Sequence, residues 1–432
     1  MRIRKHRLGD IADIIGGVAF QPSDIQEEGI RILRGGNIQS QAIVTKENDV
    51  FLPLNYTNKD NQLRMGDTIL VASSGSVDVL GKSATCFKDY PNTQIGAFLR
   101  IIRPKKGCYS MLISIALNSP HFARYIKSQA KGTSINNITL THLKEYEICC
   151  PEDFSLISDL YLSIARKIEL NRAINHNLEA MAKQLYDYWF VQFDFPNEEG
   201  KPYKSNGGEM IYSDALKKYI PKGWTHSPLQ ELVDLEDSKR IPLSNAQRAE
   251  RKGEFPYYGA TGIMDYIDDF IFDYDILLLA EDGSTSDSNG FPVVQYVWGE
   301  VWVNNHAHII LPKDRAHLIY TYFLLKSIPV KMIETGSIQK KISQDNLLGY
   351  KAINVPKRLR DIYTERIKPM WEQKKLATEG IIQLTKQRDI LLPLLMNGQA
   401  MVNYDLPECH WLYRDFKAVS LFMGIAGLEI SH

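Results

Sequence analysis

Two hydrophobic patterns alternate along this chain. In residues 1–151 and again in 225–356, apolar residues come in runs of four to six bounded by Gly, Asp and Ser, as in Thr68-Ile69-Leu70-Val71 and Ile276-Leu277-Leu278-Leu279. Such runs predict short buried strands. One longer apolar segment in each region, Tyr109–Ser128 and Ala316–Thr335, predicts a helix. After each region the period changes. Ile157, Leu160, Ile164, Ile174, Leu178, Met181, Leu185 and Tyr188 recur at heptad spacing, broken by Lys167 and Asn171. Residues 152–190 hold neither Gly nor Pro, and a helix of that length spans about 58 Å. Tyr363, Ile367, Met370, Ala377, Ile381, Leu384, Leu391 and Leu395 repeat the pattern, with Lys374 and Arg388 on the seam. Pro369 is expected to kink this second helix or delay its start, and Pro393 to shorten its end.

A single apolar seam does not stabilise a lone helix. Packing of the two helices on each other as an antiparallel intramolecular coiled coil is favoured, with Asn171 helping to fix register. Packing of each helix on its own neighbouring region is the alternative. The expected fold class is therefore α+β: two mixed α/β domains joined by long helices.

The halves repeat in detail. GTSINNITLTHLKEYEICCP at 132–151 answers GSIQKKISQDNLLGYKAINVP at 336–356, about 205 residues on. Leu8-Gly9-Asp10-Ile11 answers Leu229-Gln230-Glu231-Leu232, and MGDTILVASSGS at 65–76 answers DYDILLLAEDGS at 273–284. Two equivalent heads suit a ligand that is itself long and repetitive. The expected boundaries are 1–151 for the first head, 152–190 for a spacer helix, 191–224 for a linker with one short helical patch, 225–356 for the second head, 357–402 for a second spacer and 403–432 for a tail without counterpart.

Composition narrows this little. Fifty-one basic residues balance 51 acidic ones, which leaves nucleic-acid binding open because charge can cluster on one face. No apolar run reaches the ~18 residues that span a bilayer, and the basic start lacks a signal-peptide core. Five cysteines without a CxxC pair suit a reducing compartment, so a cytoplasmic location is expected. Phosphate-loop, dinucleotide, amino-methyltransferase, nucleophile-elbow and HExxH patterns are missing. His306-Ala307-His308 could open a metal site, but further ligands are not evident, and structural or DNA-facing roles are favoured. Glu281-Asp282 resembles half a nuclease cluster, yet its counterpart is Ser73-Ser74, which points to a variable specificity element. No catalytic residue and no metal ligand are assigned.

The loops instead carry donors and acceptors suited to bases and phosphates. In the first head these are Arg34, Gly35, Asn37, Ser73, Ser74, Gly75, Lys82, Gln94, Asn136 and Asn137. In the second they are Tyr257, Tyr258, Gly259, Thr261, Glu281, Asp282, Ser284, Asn304, Asn305, His306, Lys340 and Lys341, following a basic stretch from Lys239 to Lys252. Arg and amides pair with base edges, carboxylates accept from cytosine, and Gly lets the backbone approach phosphate.

These residues sit in a sequence that resembles the specificity subunits of type I restriction–modification systems. The resemblance rests on LGDIADIIGG, RILRGGNI, the two Gly-Ser turns, PYYGATGI and the segments GTSINNI and TGSIQKKI. It rests above all on LEAMAKQLYDYWFVQFDFP at 178–196, followed by GKPYKSNGGEM and IPKGW. It covers about residues 5–402. It implies that the heads are target recognition domains for double-stranded DNA and that the subunit itself is not catalytic. It also implies that the helices space the heads and dock two methyltransferase subunits, and through them restriction subunits. S-adenosylmethionine, ATP and Mg would then belong to those partners. Half-sites about 34 Å apart would be expected, with the unread gap shortened by deleting 166–172. The aromatic end of the first helix, Tyr186, Tyr188, Trp189 and Phe190, is either a partner-docking patch or packed on its own linker. Two readings from other classes remain: a two-domain endonuclease with a divergent site, and a coiled-coil adaptor that binds only protein.

Overall fold

A computed structural model describes residues 3–39, 41–45, 49–76, 79–129, 136–152, 154–336, 340–396 and 399–400. The expected tail at 403–432, and most of the paired GTSINNI and GSIQ turns, lie outside the described residues. The chain divides into two compact units, Met1–Arg172 with Glu379 onward, and Ala173–Thr378. Each unit is thus one head together with part of both long helices.

The two heads share one topology. In the first, a four-stranded antiparallel sheet runs in the order Ala12–Gly16, Leu99–Pro104, Thr68–Val71, Ser83–Thr85. Beside it Thr93–Ile95 pairs parallel to Ile30–Leu33, which pairs antiparallel to Val50–Leu52. A third pairing, Ile3–Arg7 with Glu147–Pro151, closes the base. The second head repeats this order with Val233–Leu235, Ala307–Pro312, Ile276–Ala280 and Val294–Val297. Trp302–Val303 runs parallel to Lys252–Tyr258, which pairs with Ile263–Ile267, and Thr225–Pro228 meets Lys351–Asn354. All the residues of Thr68–Val71 and of Ile276–Ala280 are buried, as expected for central strands covered on both faces. Each expected head helix is shorter than its apolar segment. Tyr109–Leu117 and Pro120–Gln129 are separate helices, broken ahead of Pro120, and Leu318–Lys326 ends ahead of Pro329.

The long helices span Ser155–Tyr186 and Lys357–Met396. Within the first unit, Ile157 and Tyr161 near the start of the former pack with Leu392 and Leu395 near the end of the latter. Within the second unit the ends are reversed: Ala182 and Tyr186 pack with Tyr363 and Trp371, and the Tyr363 hydroxyl donates to the Ala182 carbonyl at 3.0 Å. The pairing is antiparallel in each, as the seam predicts. Both helix ends are also embedded in their head's core, so the two packing alternatives hold at once.

The seam itself differs from the expected one. Ile157, Tyr161, Ile164, Ile168, Ala182 and Trp189 are buried, whereas Met181 is 56% exposed. One half of the heptad therefore lies one residue later than expected. Ile168, which is buried, thus replaces the exposed Lys167 on this face. The inter-helix amide is correspondingly Asn175, which donates to the Thr378 hydroxyl at 2.7 Å, and Asn171 is only half-buried. Pro369 neither delays nor ends the second helix, which begins at Lys357. Pro369 lies on the exposed face, where solvent can reach the carbonyl left without a donor, while Ile367 and Trp371 are buried on either side. Pro393 likewise lies inside the helix.

The segment expected as a linker is folded. Met210–Ser213 and Lys218–Pro221 form a hairpin, and the expected helical patch is its turn, with Lys217 at φ +53°. Phe195 stacks between Tyr203 and Trp224 at 4.7 and 4.9 Å between ring centres. The Asp194 carboxylate accepts from the Ser205 amide at 2.7 Å and its hydroxyl at 2.5 Å. Among the described residues no helix is long and apolar enough to cross a membrane.

Candidate nucleic-acid interface

In each head, three chain segments meet where the central strands end. In the first head the Ala72 and Ser73 amides both donate to the Phe98 carbonyl, at 3.0 and 3.1 Å, and the Ile138 amide donates to the Ala72 carbonyl at 2.8 Å. Asn137 pairs with Ser73 and Asn136 with Ser74. The Gly96 amide donates to the Leu33 carbonyl at 2.8 Å, which draws in the turn that holds Arg34. The second head repeats three of these four bonds. Glu281 donates to the His306 carbonyl at 2.9 Å, Ile342 to Glu281 at 2.9 Å and Asn304 to Tyr258 at 3.0 Å. Asp282 bridges to Lys341.

These bonds give a residue-by-residue equivalence. Ala72 corresponds to Glu281, Ser73 to Asp282, Phe98 to His306 and Asn137 to Lys341. The sequence alignment that set Ser73-Ser74 against Glu281-Asp282 is off by one, because identical Ala and Gly-Ser letters outweigh strand register in a short apolar run. The pairing of Asn136-Asn137 with Lys340-Lys341 agrees with these bonds.

Several expected contact residues reach the surface here. Arg34, Gly75, Lys82 and Asn137 are exposed, as are Thr261, Ser284, Asn305, His306, Lys340 and Lys341; Ser73, Ser74, Tyr258 and Asp282 are half-buried. Nothing lies within 4 Å of where a Cβ would stand at Gly35 or Gly36, and neither has a positive φ. The fold therefore does not require glycine there, and the bare backbone is open to close approach. The Asn136 side chain lies outside the described residues.

Other expected contacts are turned inward, a correction with a clear cause. Asn37 is buried and satisfies its loop: its Oδ1 accepts from the Arg34 amide, and its Nδ2 donates to Val44 and Asp49. Gln94 is buried and donates to the Tyr56 carbonyl. Asn304 is buried, with its Oδ1 accepting from the His306 amide. Tyr257 is a core ring whose hydroxyl accepts from the Leu243 amide, and Gly259 packs beneath Met264. Burial keeps these amides from a base, and each closes a loop through at least one hydrogen bond, although Gln94 Oε1 has no partner among the described residues. The aromatic patch is corrected similarly. Tyr186, Trp189 and Phe190 are buried against Tyr320 and Tyr363, and only Tyr188 keeps an exposure of 37%.

Behind the second surface lies a closed ionic network. Arg240 donates to Glu281 at 2.8 Å and to the Ala307 carbonyl at 2.9 Å, and Lys341 stands 3.0 Å from Glu281. His308 is 1% exposed, with Nδ1 2.6 Å from Asp237 and Nε2 2.8 Å from the Ile342 carbonyl. A carbonyl can only accept, and a carboxylate favours a donor, so both nitrogens carry protons. Burial works against that charge, yet the bonds to Asp237 and Ile342 raise the His308 pKa. Burial also opposes charge on Asp237 and Glu281, and the bonds from His308 to Asp237 and from Arg240 to Glu281 prevail and lower both. Asp237, Glu281 and His308 stand close enough for a metal, but their lone pairs are already committed to protein donors. Asp314, His317 and Asp361 form the other such group among the described residues, and Lys357 bridges its carboxylates at 3.1 and 2.8 Å.

Sequence reasoning missed Phe98, which is 64% exposed, and Met264, 55% exposed and next to Asn304. The signal for Phe98 is an apolar residue at a turn between two buried strands, whereas Met264 lies inside the strand Ile263–Ile267 and carries no such mark.

Residues 221–359 match the family described as the type I restriction modification DNA specificity domain. The MjaIX specificity subunit of Methanocaldococcus jannaschii is 26% identical over 330 residues, 72% of this chain and 74% of that one. The EcoKI specificity subunit of Escherichia coli K12 is 29% identical over 132 residues, 30% of this chain and 28% of that one. Among solved structures, the S subunit of a type I restriction–modification system from M. genitalium covers 92% of this chain and 96% of its own, at 16% identity and a TM-score of 0.46.

Proposed function

We propose that this chain is a specificity subunit of a type I restriction–modification system, as the match over residues 221–359 and the MjaIX relative support, and that each head reads one half of a bipartite DNA site with the surface where its central strands end. The observation that carries the reading is the equivalence of the two surfaces. The same backbone bonds hold Ser73 and Asn137 in one head, and Asp282 and Lys341 in the other. A shared frame with different edge chemistry is what two different half-sites demand.

The subunit positions DNA and performs no chemistry itself. The carboxylates of the second head are bound to Arg240, His308 and Lys341, which supports this over an endonuclease. Two modification subunits, and restriction subunits through them, would bring S-adenosylmethionine, ATP and Mg, and the assembly would work in the cytoplasm. A protein-only adaptor would have no use for paired polar surfaces of this kind.

Methylation sequencing of DNA from cells carrying the whole system tests the reading. Asp282→Asn with Ser284→Ala should alter one half-site and leave the other unchanged; alteration of both would refute modular reading. Lys340→Ala and Lys341→Ala should each weaken binding to all sequences and lower the salt slope by about one. Both lysine side chains are 54% exposed, with their ammonium groups beside Glu334 and Glu281 at 3.1 and 3.0 Å, and so can exchange those partners for phosphate.

A further inference from the structure

We infer that Phe98 is a base-reading residue of the first head and takes the 5-methyl group of a thymine, an inference that rests on the proposed reading of DNA by this surface. A phenyl ring gains about 1.5–3 kcal/mol when buried, and the fold leaves this one 64% exposed. Exposed apolar residues are common singly, so exposure alone decides nothing. The setting of this one does.

Its backbone is held from three sides. The Phe98 carbonyl accepts from both Ala72 and Ser73, the Leu99 amide closes the turn on Gly96 at 2.9 Å, and Arg100 donates to the Ala97 carbonyl at 2.7 Å. A ring on a fixed turn has two side-chain torsions to order, so it can bind at low entropic cost. It stands among Ser73, Asn137 and the Arg34 turn, all polar and suited to DNA. The equivalent residue of the second head is His306, whose Nδ1 lies 2.9 Å from the Asp282 carboxylate. The same point of the frame thus bears an apolar ring in one head and an oriented hydrogen-bonding ring in the other. In the major groove the feature an apolar ring can distinguish is the thymine methyl.

The assembled methyltransferase complex tests this. Methylation sequencing first gives the half-site, and duplexes are then made with each of its thymines replaced singly by deoxyuridine, which lacks only the methyl. Wild-type complex should bind about fourfold more weakly at one position of the first half-site, from the loss of one buried methyl. Phe98→Ala should show no thymine–uracil difference there, and Phe98→Leu should keep part of it. Unchanged melting of both variants separates recognition from folding. A half-site without thymine, a flat uracil scan, or full discrimination by Phe98→Ala would overturn the assignment while leaving bipartite reading intact. Absence of any discrete bipartite site in the wild type would instead overturn the proposed function.

Discussion

Glu179 should be the electrostatic keystone of the second unit. It projects from the central helix between three donors: Lys326 Nζ at 2.7 Å, the Tyr322 hydroxyl at 2.7 Å and Lys374 Nζ at 3.0 Å, with Lys374 itself 4.3 Å from the Trp371 ring centre. Burial works to raise its pKa, but the two ammonium groups outweigh that and hold it at about 2, against an ordinary 4.5. A depression of that size is worth about 3 kcal/mol, and about 2 kcal/mol once its partial exposure is allowed for. Glu179→Gln keeps the shape, removes the charge and leaves both ammonium groups half-buried without a counter-ion. Because the folded pKa lies below the unfolded one, the stabilisation is complete above 4.5 and lost as pH falls towards 2. Urea melts of wild type and variant should therefore differ by about 2 kcal/mol at pH 7 and converge progressively below pH 4.5. For a unit of about 200 residues this corresponds to roughly 4–8 °C in melting temperature. A difference under about 0.5 kcal/mol at pH 7, or one constant down to pH 3, would refute the reasoning.

His308 has the opposite sign: its raised pKa gives stability that is complete below 6.5 and lost as pH rises through the folded value. Wild type should thus weaken in urea melts on the alkaline side, and His308→Gln should be flatter over the same range. Trp189→Ala should cost about 3–5 kcal/mol of stability as a core deletion; an unchanged melt with lost partner assembly would restore the docking role instead.

The frame of this protein was legible because its signals are local and doubled. Alternation, Gly-Ser turns and heptad spacing each appear twice, so two heads, two long helices and their antiparallel pairing could be read directly. What escaped depends on neighbours distant in sequence. Whether Asn37 or Gln94 faces solvent is decided by Asp49 and Tyr56, which no local pattern announces. The helix seam runs through Ile168 rather than Lys167, a one-residue offset that heptad spacing interrupted by Lys and Asn does not fix. Whether the aromatics from Tyr186 to Phe190 dock a partner or pack on their own linker stays open in the sequence, because the rings that cover them, Tyr320 and Tyr363, come 130 residues or more later. Phe98 gives no local sign of a role at the surface, because a phenyl ring carries no hydrogen-bonding group and its exposure is set by the fold.

The first unit closes only when Leu392 and Leu395 reach Ile157 and Tyr161. The second unit is one uninterrupted stretch of chain. On the ribosome the order of synthesis and the order of completion are therefore reversed. The second head has all its own residues while the first still waits, with Met111, Ile115 and Tyr161 uncovered, for the last turns of the C-terminal helix. At roughly 5–20 residues per second that wait lasts tens of seconds at the slower rates. A nascent chain stalled before Glu379 would present an apolar surface in search of a helix, which is a demand on chaperones that the finished protein no longer shows.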